Sequence, residues 1–140
     1  MSQINKAIRQ LSLGEKLGEG ATRAVYACSL DPTLVVKIEK FERKFHNIGE
    51  WEYWQTFQYV KDVSVWLAPC VSISDCGSVL LMKRTNPLLT SDKLPTKLPF
   101  FLTDFKKENY GKLKNKVVCH DYASLILDVK TKLKTTRWEE

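Results

Sequence analysis

The chain has 140 residues, of which 44% are hydrophobic and 27% are charged, a composition typical of one globular domain and unlike that of a disordered chain. No apolar run approaches the roughly 18 residues that a membrane span requires, and the N-terminus lacks the apolar core of a signal peptide. The net charge of +6 suits a polyanionic ligand, whether a nucleotide, a nucleic acid or an acidic protein surface. We therefore expect a cytoplasmic protein without membrane contact.

Cysteines and basic residues narrow the choice of partners. The four cysteines are scattered without zinc-like spacing, which favours reduced thiols in or near a core: Cys28, Cys70, Cys76 and Cys119. Basic residues cluster at 106–107, 112–116 and 130–137. The last two clusters lack the interleaved aromatic residues that nucleic-acid binding favours, so we expect solvated basic faces and no nucleic-acid partner.

The first third of the chain predicts a helix followed by strands. Apolar residues at helical spacing predict a short helix over residues 2–11. Residues 13–28 predict a strand, a glycine-containing turn and a second strand, and residues 34–38 predict a β-branched strand after a turn at Asp31-Pro32. These short turns between strands indicate an antiparallel meander.

The pattern then changes from strand to helix and back. Over residues 45–60, apolar side chains at helical spacing predict an amphipathic helix: Ile48, Trp51, Trp54, Phe57 and Val60. Strands are predicted over 70–74 and 78–82, and prolines make 83–99 an extended connection. Further along, Val117–Cys119 predicts a short strand, and Ala123–Leu133 predicts a helix.

Two early motifs suit the handling of phosphate. Gly18, Gly20 and Val25 stand in Gly-Glu-Gly-Ala-Thr-Arg-Ala-Val-Tyr, where the glycines let backbone amides approach an anion. Lys37 stands in Val-Val-Lys-Ile, where flanking β-branched residues force its ammonium towards a cleft or an anion. Each motif alone also has a simpler explanation, a hairpin turn for the first and an edge-strand lysine facing water for the second.

Two later motifs supply the other parts of phosphoryl-transfer chemistry. Asp104, Lys106 and Asn109 stand in Asp-Phe-Lys-Lys-Glu-Asn and offer a base, a cation and a neutral oxygen ligand. Asp121, in Val-Val-Cys-His-Asp-Tyr-Ala, offers a hard anionic ligand for Mg²⁺. Phosphoryl transfer requires such groups because its catalysis is mostly positioning and charge neutralisation.

In this order, the elements and motifs resemble the protein kinase fold. The resemblance implies an α+β protein whose residues 1–84 form a kinase-like N-lobe, a five-stranded antiparallel sheet with one helix. The hinge would lie near residues 82–86, and residues 85–140 would form a minimal, truncated C-lobe with a C-terminal helix. ATP and Mg²⁺ are the implied cofactors.

The resemblance also implies roles for the upstream residues. Gly18, Gly20 and Val25 would cover the nucleotide, and Met82 or Leu81 would lie behind the adenine. Lys37 would contact the α- and β-phosphates and pair with a glutamate of the following helix. Glu50 is preferred to Glu52 for this pairing, because apolar residues follow Glu50 at the family's offsets: Tyr53, Trp54 and Phe57.

Downstream, the implied roles are catalytic and metal-binding. Asp104 would accept the proton of the substrate hydroxyl, and Lys106 would steady the γ-phosphate. Asn109 would bind one Mg²⁺, and Asp121, at the position of the aspartate in Asp-Phe-Gly, would be the principal Mg²⁺ ligand.

Departures from the family pattern indicate a reduced member. Arg23 or its neighbour Ala24 stands where a third glycine is common, and Leu102-Thr103 replaces the His-Arg that usually precedes the catalytic aspartate. The Ala-Pro-Glu motif and most of the helical lobe that docks peptides are missing after Asp121. The chain therefore resembles the reduced Ser/Thr kinase-like proteins of bacteriophages and bacteria.

Two functions follow from the resemblance. The first is a minimal ATP-dependent phosphotransferase of Ser/Thr protein kinase type that acts on a protein substrate. The alternative is a catalytically inactive pseudokinase that grips a protein target, such as a phage inhibitor of a host protein in the host cytoplasm. Truncation of the C-lobe would expose apolar surface, which a homodimer would cover.

Overall fold

The protein is a small α+β structure, here a computed structural model that describes residues 13–125 and 129–139. The helix predicted over residues 2–11 lies outside the described residues. Within the described ranges, no helix is long and apolar enough to cross a membrane.

A five-stranded antiparallel sheet with the order β1-β2-β3-β5-β4 forms the first part of the fold. Its strands match the sequence predictions within one or two residues: β1 Leu13–Glu19, β2 Arg23–Cys28, β3 Leu34–Glu39, β4 Cys70–Ile73 and β5 Val79–Lys83. The tight turn between β1 and β2 is closed by the Gly20 amide, which donates to the carbonyl oxygen of Arg23 at 2.8 Å. The predicted five-stranded antiparallel sheet is confirmed.

The register of the central strands places Lys37 on the inner face of the sheet. Lys37 of β3 lies opposite Val25 of β2 and Leu80 of β5. Because side chains alternate along a strand, Val36 and Ile38 face the other side. Both faces are buried here, so β3 is apolar except at Lys37 and at its last residue, Glu39.

Helix α1, His46–Phe57, packs on the inner face of the sheet, followed by the single turn of α2, Lys61–Ser64. The Glu39 carboxylate accepts a hydrogen bond from the Asn47 amide at 2.5 Å and satisfies one free N–H group of the helix start. Trp51, Trp54 and Phe57 of the predicted apolar stripe are partly buried against the main core, whereas Val60 lies beyond the helix and is exposed. The residues of α1 that are buried are Asn47, Glu50 and Tyr53, because the helix turns its polar groups towards Lys37 and Arg23.

The rest of the described chain forms two small sheets. One sheet has the order β6-β8-β9, from Asn86–Pro87, Tyr110–Leu113 and Lys116–Cys119. The other pairs β7, Lys97–Pro99, with β10, Leu133–Thr135. A 3₁₀ turn at Lys107–Asn109 leads into β8. The sequence prediction found β9 but missed its partner β8, although Lys114 and Asn115 form the left-handed turn between them.

The C-terminal helix predicted over Ala123–Leu133 was wrong in the part of that range that the structure describes. Residues 123–125 form a turn, and Leu133 begins β10. The amides of Phe100 and Phe101 donate to the carbonyl oxygens of Lys132 and Lys130, so backbone pairing with the chain after β7 replaces helical hydrogen bonds.

The main core lies between the inner face of the sheet, α1 and the downstream sheets. Its fully buried members include Leu67, Leu80, Met82, Leu102 and Tyr122. Burial of a Leu or Met side chain contributes about 1.5–3 kcal/mol relative to exposure. This shared core fixes the downstream segment that carries Asp121 against α1.

Candidate functional site

A buried ion pair joins β3 to α1. Lys37 Nζ lies 2.6 Å from Glu50 Oε1, and both side chains are almost fully buried. The predicted contact between Lys37 and Glu50 is confirmed, whereas Glu52 lies on the exposed side of α1. The Lys37 ammonium also donates to the carbonyl oxygen of His120. The β-branched neighbours of Lys37 therefore direct its charge into the interior.

Arg23 brings a second cation to the same carboxylate, which the sequence prediction missed. Its guanidinium donates to Glu50 Oε1 and Oε2 at 2.9 and 3.3 Å and to Asn47 Oδ1 at 3.1 Å. It also lies 3.0 Å from Asp121 Oδ1. Arg23 is only 8% exposed although it begins β2 directly after the glycine-containing turn. In the resemblance to protein kinases, Arg23 stands where a glycine is common, and this departure was the sequence signal that could have drawn attention to it.

The two cations keep the buried carboxylate ionised. Burial alone would raise the pKa of Glu50, but Lys37 and Arg23 lower that pKa to about 2. Burial also opposes the charge of Arg23, yet Glu50 and Asp121 raise the pKa of its guanidinium overall. Glu50 and Arg23 therefore both carry their charges at neutral pH.

Tyr122 attaches the segment of Asp121 to α1. The Tyr122 amide donates to Glu50 Oε2 at 2.7 Å, and its hydroxyl donates to the Ala68 carbonyl at 2.7 Å. Cys70 Sγ lies 3.3 Å from the same hydroxyl oxygen. These contacts hold Tyr122 fully buried, while the neighbouring Asp121 side chain stays 50% exposed. The carboxylate of Asp121 is thus presented at the edge of the buried network.

His120 links the network to the segment after β5. Its Nδ1 lies 2.7 Å from the Thr85 hydroxyl, and its Nε2 lies 2.6 Å from the Glu108 carbonyl oxygen. Burial and the nearby Lys37 lower the pKa of His120. Thr85 reaches this position because Gly111 lacks a Cβ, which would lie 2.2 Å from the Thr85 hydroxyl. The ring therefore spans the predicted hinge and the predicted catalytic loop.

The predicted catalytic loop is largely exposed and is held by contacts within the loop and by backbone contacts with distant segments. Asp104 Oδ1 accepts a hydrogen bond from the Lys106 amide at 3.1 Å. The Asn109 amide donates to the Lys106 carbonyl at 3.0 Å, and the Tyr110 hydroxyl donates to the Asp104 carbonyl at 2.8 Å. Asn109 is anchored to the segment of Asp121, because its carbonyl accepts the His120 amide at 2.9 Å.

Three of the predicted residues line one small pocket. Asp104, Asn109 and Asp121 contribute to its walls, together with Leu102, Thr103, Tyr110, Cys119, Ser124 and Leu125. The pocket has a volume of about 50 Å³, far below the roughly 300–1,000 Å³ typical of small-molecule sites. It has room for an ion with some water ligands and is too small for a nucleotide.

The residue types that line this pocket include ones that Mg²⁺ uses as ligands. Asp121 and Asp104 supply carboxylates and Asn109 supplies an amide. Within residues 13–125 and 129–139, no three His, Cys, Asp or Glu side chains are grouped as a metal site. Mg²⁺ commonly binds through one or two carboxylates, with water and phosphate completing its shell. The donor set fits that mode, whereas the Arg23 guanidinium beside Asp121 opposes it.

The remaining predicted residues lie around the network. Gly18 and Gly20 are exposed at the β1–β2 turn, where a Cβ added at Gly18 would meet no atom within 4 Å. Val25 packs against the main core, and Met82 is fully buried within it. Lys106 is exposed, and its backbone forms a bridge with Glu139. The network and the pocket thus unite Lys37, Glu50, Asp104, Asn109 and Asp121, but not Lys106 or Met82.

A larger groove lies away from these residues. It has a volume of about 620 Å³ and lies between β2, β3, residues 40–45 and the turn at 76–78. Phe41 and Phe45 are more than half exposed along it. Its lining in the described chain includes none of the predicted site residues. Volume alone therefore does not identify the site.

Comparison with known proteins gives no independent assignment. No protein-family model matches the chain, and no curated protein matches it. The functional interpretation of the site therefore depends on the identities of its residues and on their geometry.

Proposed function

We propose that this chain is a minimal kinase-like, ATP-dependent phosphotransferase that modifies Ser or Thr residues of a protein substrate. The observation that carries the proposal is the buried ion pair between Lys37 and Glu50. A lysine needs such a partner to keep its ammonium in an apolar interior, and phosphate handling requires the ammonium at a fixed position. Asp121 follows directly after the carbonyl that Lys37 also contacts.

Each part of the site has a defined task in this proposal. Lys37, held by Glu50, would bind the phosphates of ATP, and the backbone at Gly18 and Gly20 would cover them. Asp121 and Asn109 would hold Mg²⁺, which supplies neutralisation of phosphate charge when bound. Asp104 is exposed at the same pocket, so a substrate hydroxyl has access to its carboxylate.

A second function is favoured by Arg23. The guanidinium pairs with the carboxylate that the proposal assigns to the metal, and the pocket beside it has a volume of only about 50 Å³. Both features suit a catalytically inactive kinase-like module that binds a protein target. In this role the buried network would stabilise the fold and would take no part in chemistry.

A labelling experiment separates the two functions. The purified protein is incubated with Mg²⁺ and γ-labelled ATP, alone and with a cell lysate, beside Asp121→Asn and Asp104→Asn. Asp62→Asn changes an exposed aspartate of α2 and serves as the matched control. The phosphotransferase predicts transfer by the parent and the control, with a loss of about 10²–10⁴-fold in Asp104→Asn, the usual contribution of a general base. Absence of both transfer and an Mg·ATP-dependent thermal shift would support the inactive module.

A further inference from the structure

Arg23 is anchored more firmly to α1 than to Asp121. Three of the hydrogen bonds of its guanidinium go to Asn47 and Glu50, which are both 0% exposed. A single contact, at 3.0 Å, goes to Asp121, whose side chain is half exposed. If the contact breaks, Asp121 is therefore the partner that moves, while Arg23 keeps its place.

The charges of the four side chains that the ion pairs join cancel without any bound ion. Arg23 and Lys37 supply two positive charges, and Glu50 and Asp121 supply two negative charges. Since Lys37 already balances Glu50, Arg23 supplies the charge that balances Asp121. A divalent cation at Asp121 would meet a fixed guanidinium of like sign at close range, which opposes its binding.

Asp121 belongs to two neighbouring environments. Its Oδ1 contacts Arg23, and its side chain also lines the pocket shared with Asp104 and Asn109. The second environment holds oxygen ligands and lies open to solvent, so it can accept a hydrated ion. The position of one carboxylate therefore distinguishes an arginine-bound state from a metal-bound state.

We propose that Arg23 competes with divalent cations for Asp121 and thereby determines the metal affinity of the site. The inference rests on the proposed function for the role of Asp121 as a metal ligand. Metal binding requires the carboxylate to turn from Arg23 towards the pocket of Asp104 and Asn109. Arg23 would thus set the concentration of divalent cation at which the site is occupied.

Metal binding without nucleotide tests this competition. Mn²⁺ alone is titrated into the 140-residue chain, and free Mn²⁺ is followed by electron paramagnetic resonance. Arg23→Gln is expected to bind Mn²⁺ at least about tenfold more tightly than the parent, because the competing charge is gone. The gain should vanish in Arg23→Gln/Asp121→Asn. The exposed Arg43→Gln makes the same change in net charge and should match the parent.

The outcomes separate the inference from the proposed function. Equal Mn²⁺ affinity of the parent and Arg23→Gln would overturn the competition and leave a metal site at Asp121. A gain that persists without Asp121 would also overturn it. Failure of every variant to bind Mn²⁺ would overturn both the competition and the assignment of Asp121 as a metal ligand.

A conservative variant covers the case in which Arg23→Gln does not fold, which circular dichroism would detect. Arg23→Lys keeps the positive charge, but its single ammonium nitrogen cannot donate to both Glu50 and Asp121 in the way that the planar guanidinium does. It should bind Mn²⁺ a few-fold more tightly than the parent. Affinity equal to that of the parent would contradict the competition.

Discussion

The two halves of the candidate site are built in different ways. The upstream half consists of Arg23, Lys37 and Glu50, whose charged groups lie on a sheet and a helix and are almost fully buried. The downstream half, with Asp104 and Asn109, lies in an irregular segment that is held by backbone turns and is largely open to water. Packing enforces the first half, and local hydrogen bonds shape the second.

This difference separates stability from chemistry. Substitution of one residue of a buried ion pair strongly reduces the free energy of unfolding, because the partner charge is left unpaired in the interior. An exposed carboxylate can be substituted with little effect on stability, so the fold does not require it at the pocket. Tyr122 and Asp121 lie at the boundary, where the buried network meets the open pocket.

The largest effect is expected at Glu50. Glu50→Gln leaves the positive charges of Arg23 and Lys37 without their shared counter-ion, which should reduce the free energy of unfolding by about 3–5 kcal/mol. Urea denaturation followed by circular dichroism measures the change. Glu52→Gln, on the exposed side of the same helix, should stay within about 0.5 kcal/mol of the parent. Equal effects at both positions would contradict the importance of the buried network.

The second-largest effect is expected from acid, which should reduce the stabilisation that the upstream half gives to the fold. The pKa of Glu50 lies near its ordinary value of 4.5 in the unfolded chain and near 2 in the folded protein. Unfolding therefore takes up a proton between these values, so the stabilisation is complete above pH 4.5 and is lost as pH falls towards 2. The free energy of unfolding that Glu50 loses over this range is about 3 kcal/mol. It is measured by plotting the unfolding free energy against pH for the parent and for Glu50→Gln and taking the difference between the two curves. Parallel curves would contradict the prediction.

A smaller effect is expected at the boundary between the halves. Tyr122→Phe removes the hydroxyl that donates to the buried Ala68 carbonyl, which should cost about 1–2 kcal/mol of unfolding free energy. Thermal and urea unfolding both report it. Tyr59→Phe removes the same hydroxyl from a side chain that is 89% exposed and should be nearly neutral. If both tyrosines behave alike, the hydroxyl of Tyr122 is not a structural link.

The smallest effect on stability is expected in the downstream half. Asp104→Asn keeps an oxygen that can accept the Lys106 amide, so the unfolding free energy should change by less than about 0.5 kcal/mol. Under the proposed function the same variant loses most of its label transfer. A large loss of stability would show instead that Asp104 serves the fold.

Much of the upstream half could be predicted from the sequence. Strand alternation and turn residues located β1 to β5. Apolar residues at the offsets of the kinase family distinguished Glu50 from Glu52. The β-branched residues that flank Lys37 left both a cleft and an edge strand facing water possible, and the resemblance to protein kinases favoured the cleft. These signals are local, and the structure agrees with them.

The remainder depends on contacts between distant parts of the chain. Arg23 and Asp121 are 98 positions apart, and only the folded sheet brings the guanidinium to the carboxylate. The strand at Leu133–Thr135 forms because β7 offers it backbone partners, which overrides a weak helical pattern. The most deeply buried side chains of α1 lie one position before the predicted apolar stripe, because Asn47 and Glu50 bind charged groups supplied by the sheet.

The sequence by itself therefore determined the five-stranded sheet and the helix behind it, since each follows from local periodicity and residue type, while the pairing of Lys37 with Glu50 was expected from the resemblance to protein kinases. Only the tertiary structure decided that Arg23 enters the network and contacts Asp121. The physical reason is that a buried charge takes its partner from whatever segment the fold brings within reach, and sequence spacing does not encode that distance.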